Sequence, residues 1–386
     1  MTSHAVVWVG PYLSTTGYGA VTRNYIGAMA LHAQNIYVVN IGEDQQKYIS
    51  ELESERLSLY SAPVKVAEQH VILVINLTPN EAREILNPML NILRHLGCAV
   101  TKTVKVTIFE THSLPPTWLP ALNEFDAVIV PSQFNQQTFT YAAYSKENTY
   151  VVPYAIDHSQ FYPNHRTRKS YHNIGYLFGL SHRKGVELLL EAYTIAFTDR
   201  DDTLLTLKST THVGSGGITL LSNIKEFLVR RFGKTQLNHL PRISIEIGPT
   251  TNDQLRDFYW SLDLYVSTDR ATGWGMPTME AMACGKLVSA IDYGGGTTFL
   301  HTWNGYPIPT TGRLVPVDGR LLDAAPIYAG QQWEETTATA LAETMTSALV
   351  DSSHQEKRAA ALEATRHFSF TTVGLQLLNC LESIGT

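Results

Sequence analysis

What most constrains this chain is a rhythm in which short, wholly apolar runs alternate with stretches whose apolar residues recur every three or four positions. The run Ala5 to Val9 (AVVWV) is followed by Gly10-Pro11, by the small-residue segment Ser14 to Gly19, and by apolar residues at Ile26, Met29, Ala30 and Ala33. That reads as strand, glycine loop, helix. Further buried-type strands are predicted at Ile36 to Ile41, Val71 to Ile75, Val104 to Phe109 and Ala127 to Val130, with helical stretches between them. Strands separated by helix-length connections pair in parallel, so the pattern predicts a doubly wound α/β sheet.

The rhythm breaks once and then restarts. The polar, basic stretch Pro163 to Ser170 reads as a linker. After it, Ile174 to Phe178 reads as a strand, and Val186, Leu189, Leu190, Tyr193 and Phe197 mark one face of a helix. Strands follow at Leu204 to Lys208, Ile243 to Ile247, Leu264 to Ser267 and Leu287 to Ile291, and the end of the chain, from about Gln355, reads as helix with a break near Phe368-Ser369-Phe370. At 386 residues the chain accommodates two domains of similar size, each opening with a strand, a loop and a helix, and two such lobes leave a cleft between them.

Composition narrows the function classes. A net charge of -6 argues against a protein held on nucleic acid backbones, which needs clustered Lys and Arg to neutralise phosphates. The first Lys or Arg is Arg23, so no charged n-region of a secretory signal is visible, and no apolar run is long enough to span a bilayer. Cys98, Cys284 and Cys380 are too few and too scattered for a disulfide framework or a zinc site. The expectation is a cytoplasmic protein without a transmembrane segment.

Three segments carry chemistry. In Thr272 to Gly285 (TGWGMPTMEAMACG), Pro277 suits the first turn of a helix, Gly285 suits its end, and the glycines allow close approach of backbone to ligand. Amides and dipole at such a helix start attract a phosphate or carboxylate, by roughly 0.3–2 kcal/mol. Glu280, placed in the same first turn, repels a phosphate and is suited to accept hydrogen bonds from hydroxyls such as those of a ribose. The same spelling also fits a core helix whose glutamate only complements the dipole. In Ser181 to Gly185 (SHRKG), Arg183 and Lys184 follow a parallel strand, where such sheets bind ligands, and can clamp a diphosphate; a solvated basic loop has the same spelling. Gly17-Tyr18-Gly19 is a backbone-approach loop in the first lobe, of a kind found in many loops.

Together and in this order, these segments resemble the retaining GT-B glycosyltransferases of glycosyltransferase family 4. The likeness also takes in Phe109 to Pro115 with Trp118, Asp126 to Asn135, and Val152 to Asp157 with Phe161 and Pro163. It implies two Rossmann-like doubly wound lobes facing each other across a cleft: an acceptor-side lobe over 1–165, a nucleotide-sugar lobe over 166–365, and a last helix over 366–386 crossing back to the first lobe. The implied activity is transfer of a sugar from a UDP- or GDP-sugar to an acceptor with retained anomeric configuration, with neither metal nor cofactor. The acceptor could be a glycan, a lipid, a protein side chain or a small molecule.

Carried over residue by residue, the resemblance assigns Lys184 to the diphosphate and the amides of Gly273, Trp274, Gly275 and Met276 to sugar and phosphates. Glu280 matches the second glutamate of the family's Glu-x7-Glu signature and would accept the ribose hydroxyls. Gly17 and Gly19, with Tyr18, would face the diphosphate when the cleft closes. Either Glu110 or His112 falls where the family places a histidine beside the donor sugar. Two positions depart from the pattern: Thr272 stands in place of the first signature glutamate, and Gly179 in place of a loop arginine, whose charge Arg183 would supply. A nucleotide-sugar or glycan binding protein on the same scaffold, without turnover, is the alternative these departures keep open.

Other readings explain fewer residues. A dinucleotide oxidoreductase wants G-x-G-x-x-G, and Gly17-Tyr18-Gly19-Ala20-Val21-Thr22 lacks the third glycine. Asp199-Arg200-Asp201 has a metal-binding spelling but sits in a helix-to-strand turn, where acidic residues are common. Trp118, Trp260, Trp274 and Trp303 could stack on sugar rings, although most aromatics pack in cores.

Overall fold

The computed structural model describes residues 4–42, 44–45, 48–49, 51, 53–55, 70–145, 147–164, 170–179, 181–210, 217–233, 239–322 and 324–385. The chain divides into two compact units, Met1–His158 with Arg366–Thr386, and Ser159–Thr365. The division falls between His158 and Ser159, upstream of the expected boundary at 165, because Pro163 already packs within the second unit, against Gly285. Residues 165–169 of the expected linker lie outside the described residues.

The first unit is built on six strands: β1 (Ala5–Gly10), β2 (Ile36–Asn40), β3 (His70–Asn76), β4 (Ala99–Val106), β5 (Ala127–Val130) and β6 (Thr149–Val151). They form one sheet in the order β2-β1-β3-β4-β5-β6, every described pair parallel. All six residues of β1 are buried, as a strand covered by helices on both faces requires. The expected strand Val104 to Phe109 is displaced: β4 begins at Ala99 and ends at Val106, its first half spelled with Thr and Lys that hide the strand from a hydrophobicity reading.

Its longer helices are α1 (Gly17–Met29), α2 (Pro79–His95) and α3 (Gln133–Tyr141). α1 begins earlier than expected, because Thr16 caps it by accepting from Gly19 N at 3.3 Å. Gly17-Tyr18-Gly19 is therefore the first turn of a helix rather than a loop.

The second unit holds β7 (His172–Phe178), β8 (Thr203–Ser209), β9 (Arg242–Ile247), β10 (Leu264–Ser267), β11 (Leu287–Ile291) and β12 (Tyr306–Ile308). Their order is β12-β11-β10-β7-β8-β9, again parallel throughout. Succession along the sheet runs outward in both directions from the β7/β10 pair. This is a topological switch point, where connections leave to opposite faces and a crevice opens beyond the carboxyl ends of the strands. Four helices matter below: α4 (Val186–Ala196), α5 (Ile218–Phe232), α6 (Asn252–Ser261) and α7 (Met276–Ala283). On α4 the buried side chains are Leu189, Leu190, Ala192 and Tyr193, essentially the predicted face.

The end of the chain forms α8 (Ala338–Val350), α9 (His354–Arg366) and α10 (Phe370–Gly385), with the break at 367–369. The chain rejoins the first unit there: Ile156 N–H donates to the Phe368 carbonyl at 2.8 Å, and α10 packs on α1. The two helices meet backbone to backbone at Gly374, where a Cβ would stand 2.2 Å from the Ala28 carbonyl oxygen.

Candidate functional site

At the switch point the loops after β7 and β10 are sewn together. The β7 loop ends in a single turn of 3-10 helix, His182–Lys184, closed by Gly185 at φ +60°, where any Cβ would collide with the Thr268 carbonyl oxygen at 2.4 Å. Thr268 Oγ1 donates to the Lys184 and Gly185 carbonyls, and Arg270 Nη1 donates to the His182 carbonyl at 2.7 Å. Arg183 Nη1 returns across the gap to the Ala271 carbonyl at 2.6 Å. The basic triplet is thus a fixed element of the crevice and not a solvated loop.

Lys184 and Arg183 both lie in the loop after β7, and each already has work in the fold. Lys184 Nζ lies 2.6 Å from Asp269 Oδ2, and the Tyr176 hydroxyl bridges Asp269 Oδ1 and the Lys184 carbonyl. Burial and the Asp269 charge push the Tyr176 phenol well above its ordinary range, so it stays a donor. On the flank, Glu187 meets His182 at 2.7 Å and Arg270 at 3.2 Å. Against the opposing effect of burial, these partners hold its carboxyl down at about 2.

The glycine-rich segment after β10 is held by a second glycine loop. Gly295 N–H donates to the Thr272 carbonyl at 2.8 Å, and a Cβ on Gly294 or Gly295 would stand 2.4 Å from the Thr272 oxygen or 1.7 Å from the Gly273 oxygen. Gly275, at φ +94°, is the N-cap of α7, and Pro277 occupies its first turn. Thr278 and Met279 N–H fold back on the Gly275 carbonyl, so the amides of Gly275 and Met276 stand at the open end of the helix. A small cavity of about 10 Å³, room for one water, is framed there by Asp269, Thr272, Gly275, Thr278, Gly296 and Thr297 among others.

The Trp274 ring is buried, 5.2 Å from Phe299, which leaves its backbone amide, the group the resemblance assigned, as the part available to a ligand. One expectation is corrected here. Glu280 lies one turn inside α7 rather than in its first turn, because the helix opens at Met276. Glu280 is 7% exposed, and its carboxyl accepts from the Tyr259 hydroxyl of α6 at 2.7 Å. Burial raises it to about 7, only partly offset by that hydrogen bond.

In the first unit, Gly17 faces open space, whereas Gly19 lies against the loop before it, with the Ser14 carbonyl oxygen 2.1 Å from where its Cβ would be. Packing within the fold is enough to require a glycine at position 19. The half-buried Tyr18 hydroxyl is 3.2 Å from Thr107 Oγ1; burial raises it, and the Glu110 carboxylate adds to the rise. Glu110 raises Tyr154 as well. His112 turns elsewhere: its ring lies 4.2 Å from that of Tyr141, beside a groove of about 540 Å³ along α3 lined by Gln133, Phe134, Gln136, Gln137 and Thr140. Of Glu110 and His112, offered as alternatives, His112 packs on Tyr141, while the charge of Glu110 is felt by Tyr18 and Tyr154.

Asp201 accepts from Thr198 N and Oγ1 at 2.7 and 2.9 Å, the bonding of a turn carboxylate. Among the described residues no group of three His, Cys, Asp or Glu is arranged to hold a metal ion. Trp118 is buried, Trp260 stacks on Arg256, and Trp303, 57% exposed, lies on His301. Sequence reasoning missed Asp269, Tyr176, Tyr259 and the second glycine loop; the run Tyr293-Gly294-Gly295-Gly296, directly after a predicted strand, was the available signal for the last.

The fold is that of two Rossmann-like units, the second with its crevice at the switch point. Residues 172–319 match the family model described as Glycosyl transferases group 1. Solved structures agree over the whole length. Anabaena Alr3699/HepE, crystallised with UDP and glucose, has 17% identity and a TM-score of 0.69, over 98% of this chain and 100% of that one. A glycosyltransferase from Rickettsia africae has 14% identity and a TM-score of 0.69, over 100% of this chain and 99% of that one. Sucrose-phosphate synthase from Thermosynechococcus elongatus has 16% identity and a TM-score of 0.63, over 98% of each chain. No curated protein matches the sequence. The chain has the GT-B fold, and the stretch that matches the group 1 glycosyl transferase model lies within its second unit.

Proposed function

We propose that the protein is a retaining glycosyltransferase of family 4 that moves a sugar from a nucleoside diphosphate sugar to an acceptor hydroxyl. The observation that carries this reading is the convergence, at one switch point, of a cation, a helix start and a buried carboxyl: Lys184, the open end of α7, and Glu280. That set suits two parts of a departing nucleoside diphosphate, the diphosphate and the ribose. Lys184 and Arg183 would neutralise the diphosphate, the amides of Gly275 and Met276 would donate to its oxygens, and Glu280 would accept the ribose hydroxyls. Stabilising developing charge on a leaving group is commonly the largest single term in catalysis, and here protein groups would do it without a metal or a cofactor. In the first unit, Glu110 and His112 are the two candidates for the group that acts on the donor sugar. UDP, present with the Anabaena protein, is the leading candidate for the nucleotide, and GDP the next.

No described helix is long and apolar enough to cross a membrane, and the assigned compartment is the cytoplasm, where nucleotide sugars are the ready donors. The deciding experiment incubates the protein with UDP-, GDP- and ADP-sugars, without acceptor or metal, and follows release of free nucleoside diphosphate by mass spectrometry. Slow hydrolysis of one donor, lost in Glu280→Ala, is the expected result. Nucleotide binding without hydrolysis, persisting once acceptors are screened, would move the assignment to a binding protein in which Thr272 has ended turnover. Unchanged nucleotide affinity in Glu280→Ala would remove the ribose role.

A further inference from the structure

The inference rests on the reading of Lys184 as a diphosphate-binding cation. At that point the fold has installed an anion of its own. Asp269 Oδ2 is 2.6 Å from Lys184 Nζ, with the two side chains only 8% and 19% exposed. Its orientation is set by the Tyr176 hydroxyl on the other oxygen. Asp269 also borders the cavity that Thr272, Gly275 and Thr278 frame at the open end of α7. A phosphate drawn to Lys184 and to that helix start therefore arrives next to a fixed carboxylate.

We propose that Asp269 is a specificity-determining residue that discriminates against the free nucleoside diphosphate in favour of the intact nucleotide sugar. The two ligands differ in charge. While the sugar is attached, the outer phosphate is a diester with one ionisation; once the sugar has left, it is a terminal phosphate whose second ionisation lies near pH 6. Near pH 7.5 the product carries about one more negative charge than the donor, and repulsion from a nearby carboxylate grows with that charge. The same residue that weakens all anion binding a little weakens product binding most, so it favours release after each transfer. A carboxylate that served only to hold Lys184 in place would act with the opposite sign: its removal would loosen donor and product alike.

The test is calorimetric titration of the full chain with matched pairs, UDP against UDP-glucose, GDP against GDP-mannose, and ADP against ADP-glucose. Asp269→Asn is expected to bind the free diphosphate about five- to tenfold more tightly, with less than a threefold change for the sugar nucleotide. Asp269→Glu, which keeps the charge, is expected to retain the discrimination of the unmodified protein. Should Asp269→Asn fold poorly by circular dichroism, Asp269→Ser supplies the same comparison. Equal changes for both members of a pair, or weaker product binding, would overturn the proposal while leaving the phosphate site in place. Failure of the unmodified protein to bind any nucleotide would instead overturn the functional reading, and this inference with it.

Discussion

Gly295 N–H reaches the Thr272 carbonyl at 2.8 Å, and the two backbones pass so closely that a methyl group on Gly295 would lie 1.7 Å from the Gly273 oxygen. The segment that opens α7 is shaped by this second loop as much as by its own glycines. Gly295→Ala must push the two loops apart, since the obstructing atoms are backbone and cannot rotate away. We expect at least a tenfold loss of nucleotide affinity and a fall of several degrees in melting temperature. Calorimetry on the alanine variant checks this, and unchanged affinity would show that the loop spacing is not what orders the site.

Lys184 and Asp269 form a largely buried pair, so removing one partner leaves the other charge with poor solvation. For Lys184→Ala we expect a stability loss of about 1–3 kcal/mol, below the range for a fully buried pair because Lys184 retains some exposure to water. Adding Asp269→Asn should restore part of that loss, while nucleotide binding stays impaired because the cation is gone. Chemical denaturation of the two single variants and the double variant measures the coupling. Additive losses would mean that the pair contributes little despite its geometry.

The two glycines at the start of α1 should part company. A methyl group on Gly17 would meet nothing within 4 Å, and alanine is the better helix former, so Gly17→Ala should be neutral or add up to about 0.5–1 kcal/mol of stability. Gly19→Ala must displace the Ser14 and Pro11 carbonyls and should cost more than about 1 kcal/mol. Thermal melts distinguish the two. Were Gly17→Ala to lose activity while keeping its melting temperature, the case for Gly17 facing the diphosphate would gain direct support.

Much of this fold was legible because buried parallel strands are spelled as apolar runs, and β5, β10 and β11 fall where AVIV, LYVS and LVSAI predict. What escaped were strands with little such signal. β6 and β12 have three residues each, too few to show a period. β4 carries Lys105, which is buried because its ammonium donates to the carbonyls of Ile75, Leu77 and Val106, a pattern that composition reads as surface. In the site, Lys184, Gly275 and Glu280 could be found because each belongs to a local spelling. Asp269, Tyr176 and Tyr259 could not, because their roles come from partners 85, 93 and 21 residues away along the chain.

The Tyr259–Glu280 pair should make stability and nucleotide binding respond to pH in opposite senses. Burial holds the Glu280 carboxyl at about 7, against 4.5 for an unperturbed glutamate. Between those two values the folded protein keeps a proton that the unfolded chain has released. Stability is therefore greatest at the acid end of this window and falls as pH rises through it, by up to about 3 kcal/mol at 1.36 kcal/mol per unit. Nucleotide affinity should move the other way. Ribose hydroxyls donate best to the carboxylate, so binding favours the ionised form and should strengthen as pH rises towards 7 and then level off. Glu280→Gln removes the titration, and both profiles should flatten, with stability near pH 7 rising and affinity falling. Urea denaturation and nucleotide titrations at pH 5, 6, 7 and 8 measure the two slopes. If the glutamine variant kept the affinity profile of the parent, the pH dependence would belong to another group and Glu280 would have no place at the ribose.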